Sequence, residues 1–197
     1  VSIIWGTAFV AQGIASQYKV AYLFNGLSFM LAAFILIPFI PKGTRDAQGA
    51  RIPKDQWVWM LIAGGILFAG SALQQVGMLY TKVANAGFLT SLYVVFIPFL
   101  LWIGFRERPH WLDLFAVTLA GIGAFLLSTS GSFIVQPGDL MELLGSVFWA
   151  FYFIVLGKFT FKFASISFAA GHFFIGGWIT IGVGWFVEDI SILKAPP

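Results

Sequence analysis

The feature that most constrains this chain is a succession of long apolar runs that no soluble globule of its size could hide. They lie at Ser2–Ala15, Tyr22–Ile40, Trp57–Tyr80, Val83–Gly104, Leu112–Ser128, Asp139–Gly157 and Phe168–Val187, with polar connectors between them. A helix needs roughly 20 mainly apolar residues to cross the hydrocarbon core of a bilayer. Of 197 residues, 59% are hydrophobic and 10% charged, against about 45–50% and about 25% in soluble domains. Lipid must therefore be the solvent for much of this surface. The runs are continuous, whereas a membrane β-barrel needs alternating segments of about ten residues. The sequence thus predicts an all-α membrane protein, a polytopic helical bundle of about seven transmembrane helices. Disorder, a coiled coil and nucleic-acid binding are excluded by the same composition. The chain has no cysteine, which removes disulfides, thiolate catalysis and cysteine-based metal sites, and no cofactor or metal is predicted.

Basic residues set the orientation. The connectors after the second, fourth and sixth spans hold Lys42, Arg45, Arg51, Lys54, Arg106, Arg108, Lys158 and Lys162, while the other side holds Lys19, Lys82 and Lys194. The positive-inside rule places the first group, and with it the N-terminus, in the cytoplasm.

An internal repeat is visible at an ungapped offset of 144 residues, which pairs Ser2/Ser146, Trp5/Trp149, Phe9/Phe153, Gly13/Gly157, Phe24/Phe168, Phe29/Phe173, Ile35/Ile179 and Ile37/Ile181. A composition this rich in Phe and Gly gives about three or four such matches by chance. Five spans separate the copies, and five is odd, so the second copy enters the membrane from the opposite side. That is the inverted-topology repeat of many secondary transporters. The division predicted is residues 1–130 as a first five-helix repeat and 131–197 as the start of a second. On this offset Trp5 lacks the run that precedes Trp149, and three further spans are expected beyond Val187.

Several stretches carry a family resemblance. They are Trp5-Gly6-Thr7-Ala8-Phe9-Val10-Ala11-Gln12, Phe24-Asn25-Gly26-Leu27-Ser28-Phe29, Ala72-Leu73-Gln74-Gln75-Val76-Gly77-Met78-Leu79-Tyr80-Thr81, Asn85-Ala86-Gly87-Phe88-Leu89-Thr90-Ser91-Leu92-Tyr93 with Pro98, and Gly138-Asp139-Leu140 followed by Phe148-Trp149-Ala150. Together they resemble the EamA family of the drug/metabolite transporter superfamily. The resemblance implies a carrier of two inverted five-helix domains that moves small molecules across a plasma (bacterial inner) membrane. Ser28 departs from the family pattern, which often has Arg there.

Polar residues within the spans are the candidates for a substrate cavity. At 1.5 Å rise per residue, Ser28 and Gln74 lie about 9 Å below the outer surface and Thr90 and Ser91 about 10–12 Å below it, in one layer. Gln75 and Ser71 share a helical face with Gln74. Thr7 and Asn25 join them from the resembling stretches. Trp5 and Trp149, repeat-equivalent and near the midplane, would form aromatic walls, although tryptophan ordinarily favours the interfaces. Tyr152 and His172 lie in the inner half, His172 at the position equivalent to Ser28. Interhelical polar packing is the alternative for all of these. Glu142 is a candidate proton carrier, but Asp139-x-x-Glu142 reads rather as a capping box near the surface, and Asp113 as a carboxylate at a helix N-terminus. Rows of small residues, Ala116/Ala120/Ala124/Ser128 and Gly176/Thr180/Gly184, permit close helix approach. Pro98 is expected to interrupt the fourth span.

The function expected is secondary transport by alternating access, of metabolites, amino acids or drugs. No Lys or Arg lies within a span, so neutral, zwitterionic or hydrophobic solutes fit better than phosphates. Enzyme chemistry is not expected: there are no paired intramembrane aspartates, no His-Glu-x-x-His zinc motif, and no base beside the Ser128–Ser132 turn. A structural or sensory membrane protein is the alternative. The lipid bilayer and a small-molecule substrate are the expected partners, and a homodimer is left open.

Overall fold

The computed structural model describes residues 2–40, 55–129, 136–160 and 163–188. Lys42, Arg45, Arg51, Lys54, Lys162, Lys194 and most of the Ser128–Ser132 turn lie outside the described residues. The described chain is helical, without strands: α1 Ser2–Gln17, α2 Ala21–Leu36, α3 Gln56–Gly77, α4 Val83–Ser91, α5 Tyr93–Phe105, α6 Trp111–Thr129, α7 Pro137–Phe159 and α8 Ser165–Val187. A 3₁₀ turn, Ile37–Phe39, extends α2, and α4 and α5 are two halves of one span. Five spans are long and apolar enough to cross a membrane: Ala21–Phe39, Gln56–Gly77, Val83–Phe105, Pro137–Phe159 and Ser165–Val187. Trp111–Gly123 in α6 is a shorter apolar helix, and α1 has 16 residues. Large apolar side chains face outward, Ile103 at 77% and Phe186 at 89% exposure. Water would penalise that surface and lipid does not. The chain is a polytopic helical membrane protein.

The fourth span breaks earlier than its proline suggests. At Leu92 the backbone switches to i→i−3 bonding, with Leu92 N–H on Leu89 O at 3.1 Å and Val95 N–H on Leu92 O at 2.8 Å. Pro98 sits inside α5, six residues beyond the break, so the expected interruption at the proline is displaced to Leu92. The local 3₁₀ bonding, rather than the proline ring, marks the break between α4 and α5.

Contacts between helix ends follow an up-and-down path. At one end the Glu188 carboxylate, at the close of α8, accepts the Tyr22 and Leu23 N–H groups at 2.6 and 2.9 Å. It caps the first turn of α2, which has no side-chain cap of its own. Thr81, after α3, donates to Asp139 Oδ1 near the start of α7 at 2.5 Å. At the opposite end Lys158 of α7 pairs with Glu107 after α5, and Trp59 of α3 stacks on Phe159 at 4.2 Å.

The most extensive seam joins α2 to α8, which run antiparallel, Tyr22 beside Gly184 and Phe34 beside Phe174. Small residues make the approach possible: a Cβ on Gly26 would lie 2.9 Å from Ile181 N, and one on Gly177 would lie 3.1 Å from Gly26 O. The expected Gly176/Thr180/Gly184 row is buried, with Gly184 against Tyr22 of α2 and Gly176 against Gly64 of α3. The α6 row is not used in this way, since Ala116 is exposed and Ala120 half-buried; α6 lies at the periphery, and the Ala124 and Ser128 side chains fall outside the description.

Two N-terminal caps correct or refine the sequence reading. The box on α7 is one turn earlier than expected: Gln136 is the cap, Gln136 N–H bonds Asp139 Oδ2 at 3.1 Å, and Pro137 occupies the first turn. Glu142 takes no part in it. On α6, Asp113 does close the first turn, accepting His110 N–H at 2.7 Å.

Candidate functional site

A cavity of 370 Å³ lies among α1, α2, α3, α7 and α8, lined by Ala8, Phe9, Gln12, Phe29, Leu67, Ser71, Gln74, Trp149, Tyr152, Phe153, Leu156 and Phe173. Eight of these twelve form four pairs at the 144-residue offset: Ala8/Tyr152, Phe9/Phe153, Gln12/Leu156 and Phe29/Phe173. Phe29 and Phe173 also stack on each other, ring centroids 6.1 Å apart. The same positions of α1–α2 and of α7–α8 on that offset thus line one cavity. Its walls are aromatic, with Trp149 edge-on to Tyr152 at 5.6 Å and Tyr93 stacked behind Phe153 at 4.6 Å. None of the lining side chains is charged.

The polar groups of the cavity are ordered by one donor. The Trp149 indole N–H can only donate, and it bonds Gln74 Oε1 at 2.9 Å. That fixes the Gln74 amide, whose Nε2 then donates to Gln12 Oε1 at 2.6 Å. The Gln12 amide is oriented in turn, and its own Nε2 is the donor left beside the cavity. Gln75, the neighbour of Gln74, turns the other way along α3 and bonds Ser16 Oγ at 3.1 Å and Gln12 O at 3.4 Å. On the opposite wall Tyr152 Oη meets His172 Nε2 at 2.7 Å, and His172 Nδ1 meets Phe168 O at 2.8 Å. A carbonyl only accepts, so Nδ1 carries a proton. In the neutral ring Nε2 accepts the Tyr152 hydroxyl proton, and the phenol oxygen is left as an acceptor.

Residues 1–129 match the EamA-like transporter family. The chain belongs to that family. An "Uncharacterized transporter" of Archaeoglobus fulgidus is 32% identical over 149 residues, which are 76% of this chain and 44% of the relative. The chain thus spans less than half the length of that curated relative. No solved structure matches it.

In this EamA chain the candidate residues divide into those that meet at the cavity and those that do not. Gln74, Trp149 and Tyr152 line it, and His172 stands directly behind Tyr152. Gln75 is fully buried but faces α1. Ser28 and Ser91 do not reach it: both are exposed and bond carbonyls of their own helices, Phe24 O at 2.8 Å and Phe88 O at 2.6 Å. Helix rotation turns both side chains outward. Thr7 is exposed, and Asn25 is buried in α2 away from the lining. Thr90 is buried and donates to Glu142 Oε2 at 3.0 Å. The side chain of Trp5 lies outside the described residues.

Sequence reasoning passed over Gln12 and preferred a cap to a proton-carrying role for Glu142. Gln12 could have been found from the repeat, being the partner of Leu156 one turn beyond Phe9/Phe153. Glu142, read as a surface cap, is 0% exposed. Gly77 makes the room: a Cβ there would lie 2.8 Å from Glu142 Oε1. Gly138 brings the helices together at this point, since its Cβ would meet Gly77 O at 2.5 Å and Thr81 N at 2.7 Å.

Proposed function

We propose that this chain supplies the solute-holding core of a drug/metabolite-type carrier that works by alternating access in the plasma membrane, N-terminus inside. In this reading residues 1–130 form one repeat and 131–197 open the second, inverted one. The carrying observation is the pairwise lining of the cavity: a site built from equivalent residues of two antiparallel hairpins is where two halves rocking about their axis would expose a solute to either side in turn. The chemistry favours an uncharged or zwitterionic solute with a flat apolar body. Six aromatic rings supply the walls, Gln12 Nε2 a donor, and Tyr152 Oη an acceptor. A phosphate or other polyanion has no Lys or Arg to meet in the lining, and burying it unpaired is costly.

The test is counterflow into liposomes holding the full-length protein, with neutral aromatic, zwitterionic and phosphate-bearing solutes in parallel. Saturable exchange is expected for members of the first two groups and not the third, with at least a ten-fold loss in Gln74→Leu (about 1.4 kcal/mol). Saturable exchange of phosphates alone, or of nothing in the panel, would overturn the reading.

A further inference from the structure

Glu142 is an unusual residue for its position. It lies in the second turn of a membrane-spanning helix, is 0% exposed, and has a single partner, Thr90 of α4. Its other oxygen, Oε1, has no hydrogen bond at all. The groups facing it are few. From α3 comes Gly77; from α4 comes Thr90, with Lys82 exposed at the helix start; α5 meets α7 lower down, through Tyr93 on Phe153; and on its own helix Asp139 lies one turn earlier, engaged by Thr81 and the Gln136 N–H. Among the described residues no Lys, Arg or His pairs with Glu142, and no metal-ligating cluster includes it. A carboxylate in this place would be a buried charge beside a second carboxylate, without a cation. Such a charge must be neutralised by a proton or reach water.

We infer that Glu142 is a proton-binding latch between α4 and α7. With the proton on its carboxyl the group is neutral, stays buried against Thr90 and Gly77, and holds the Thr81–Asp139 end of the bundle shut. Loss of the proton to water leaves a carboxylate that only a hydrated gap can accommodate, so α4 moves off α7 at that end. Ionisable groups inside membrane spans mark proton relays in other transporters, and this one stands on the helix face that continues through Gly145 and Trp149 to the cavity. Proton binding is thereby tied to access at one end of the site. The consequence for transport rests on the carrier reading above, but the latch itself is measurable without any solute.

The chain's lack of cysteine allows the measurement. Ala86, 0% exposed and one turn before Thr90 on α4, is replaced in the full-length protein by Ala86→Cys, and a membrane-impermeant maleimide is added on the side of the α3–α4 link. Leu79→Cys, at an exposed position on the same side, corrects for the pH dependence of thiol reactivity and reports insertion. Corrected labelling is expected to rise about ten-fold per pH unit while the closed form dominates, as for release of one proton. Glu142→Gln, which mimics the protonated carboxyl, is expected to label at the low level at every pH. Should that variant fail to insert, Glu142→Asp serves instead, and its profile must shift along the pH axis. Parent labelling that is flat with pH, a Glu142→Gln profile that follows the parent, or a Glu142→Asp profile that stays in place would each overturn the latch. None of these outcomes bears on solute exchange, and absent exchange in the counterflow assay leaves the labelling result intact.

Discussion

The hairpins α1–α2 and α7–α8 present repeat-equivalent positions to the cavity, yet they sit in different surroundings. α7 packs against α3, α4 and α5 and buries a continuous face from Gly138 through Trp149 to Val155. α1 packs more lightly on α3 and α4 and leaves Val10 and Ile14 exposed. At the cavity the two hairpins agree in Phe9/Phe153 and Phe29/Phe173 and differ in Ala8/Tyr152 and Gln12/Leu156. The agreeing positions are aromatic and set the shape; the differing ones set the polarity. The cavity therefore holds one-sided chemistry, an amide donor on the α1 wall and a phenol acceptor on the α7 wall.

The largest effect should come from separating the two hairpins. Gly26→Leu drives a side chain into the backbone of α8, which cannot rotate away, and overpacking of this kind costs about 1–3 kcal/mol or more. The purified protein should lose several degrees of melting temperature and most of its solute exchange. A variant that melts with the parent would mean that the α2–α8 seam does not hold the halves together. Next is Gln74→Leu, which takes the Gln74 partner from the buried Trp149 N–H, a cost of about 1–3 kcal/mol, and from the side-chain carbonyl of the half-buried Gln12, which loses less. Its tryptophan emission should change as the indole loses its acceptor.

Tyr152→Phe tests the other wall. It removes one hydroxyl and leaves His172 Nε2 unpaired, a cost of about 1–3 kcal/mol on a single group, so its melting shift should be smaller than that of Gln74→Leu. A larger shift would reverse the order of the two walls. The least effect is expected from Glu107→Gln, which breaks the partly exposed Lys158 pair. Such pairs contribute about 0–1 kcal/mol, and any shift should vanish in high salt.

How far the site was legible follows from these residues. Trp149, Tyr152 and Gln74 were legible because they are polar or amphipathic groups within apolar spans, where hydrocarbon tolerates them only with partners. Ser28 and Ser91 satisfied the same depth criterion and failed, because a serine can bond the carbonyl one turn back on its own helix and so needs no neighbour. Glu142 failed in the other direction. Its spacing after Asp139 resembled a cap, and nothing local told that Gly77 and Gly138 would let α3 close over it.

The sequence by itself determined that this chain spans a membrane as helices and that successive spans reverse direction. Hydrocarbon leaves the backbone no partner but itself, and a run of apolar residues records that demand locally. Only the tertiary structure decided which faces of those helices look inward, that the fourth span breaks at Leu92, and that Gln12, Gln74 and Trp149 form one hydrogen-bonded row. Helix rotation and approach are set by contacts such as Gly26 on Gly177, between residues 151 positions apart, and no local pattern encodes a distance that long.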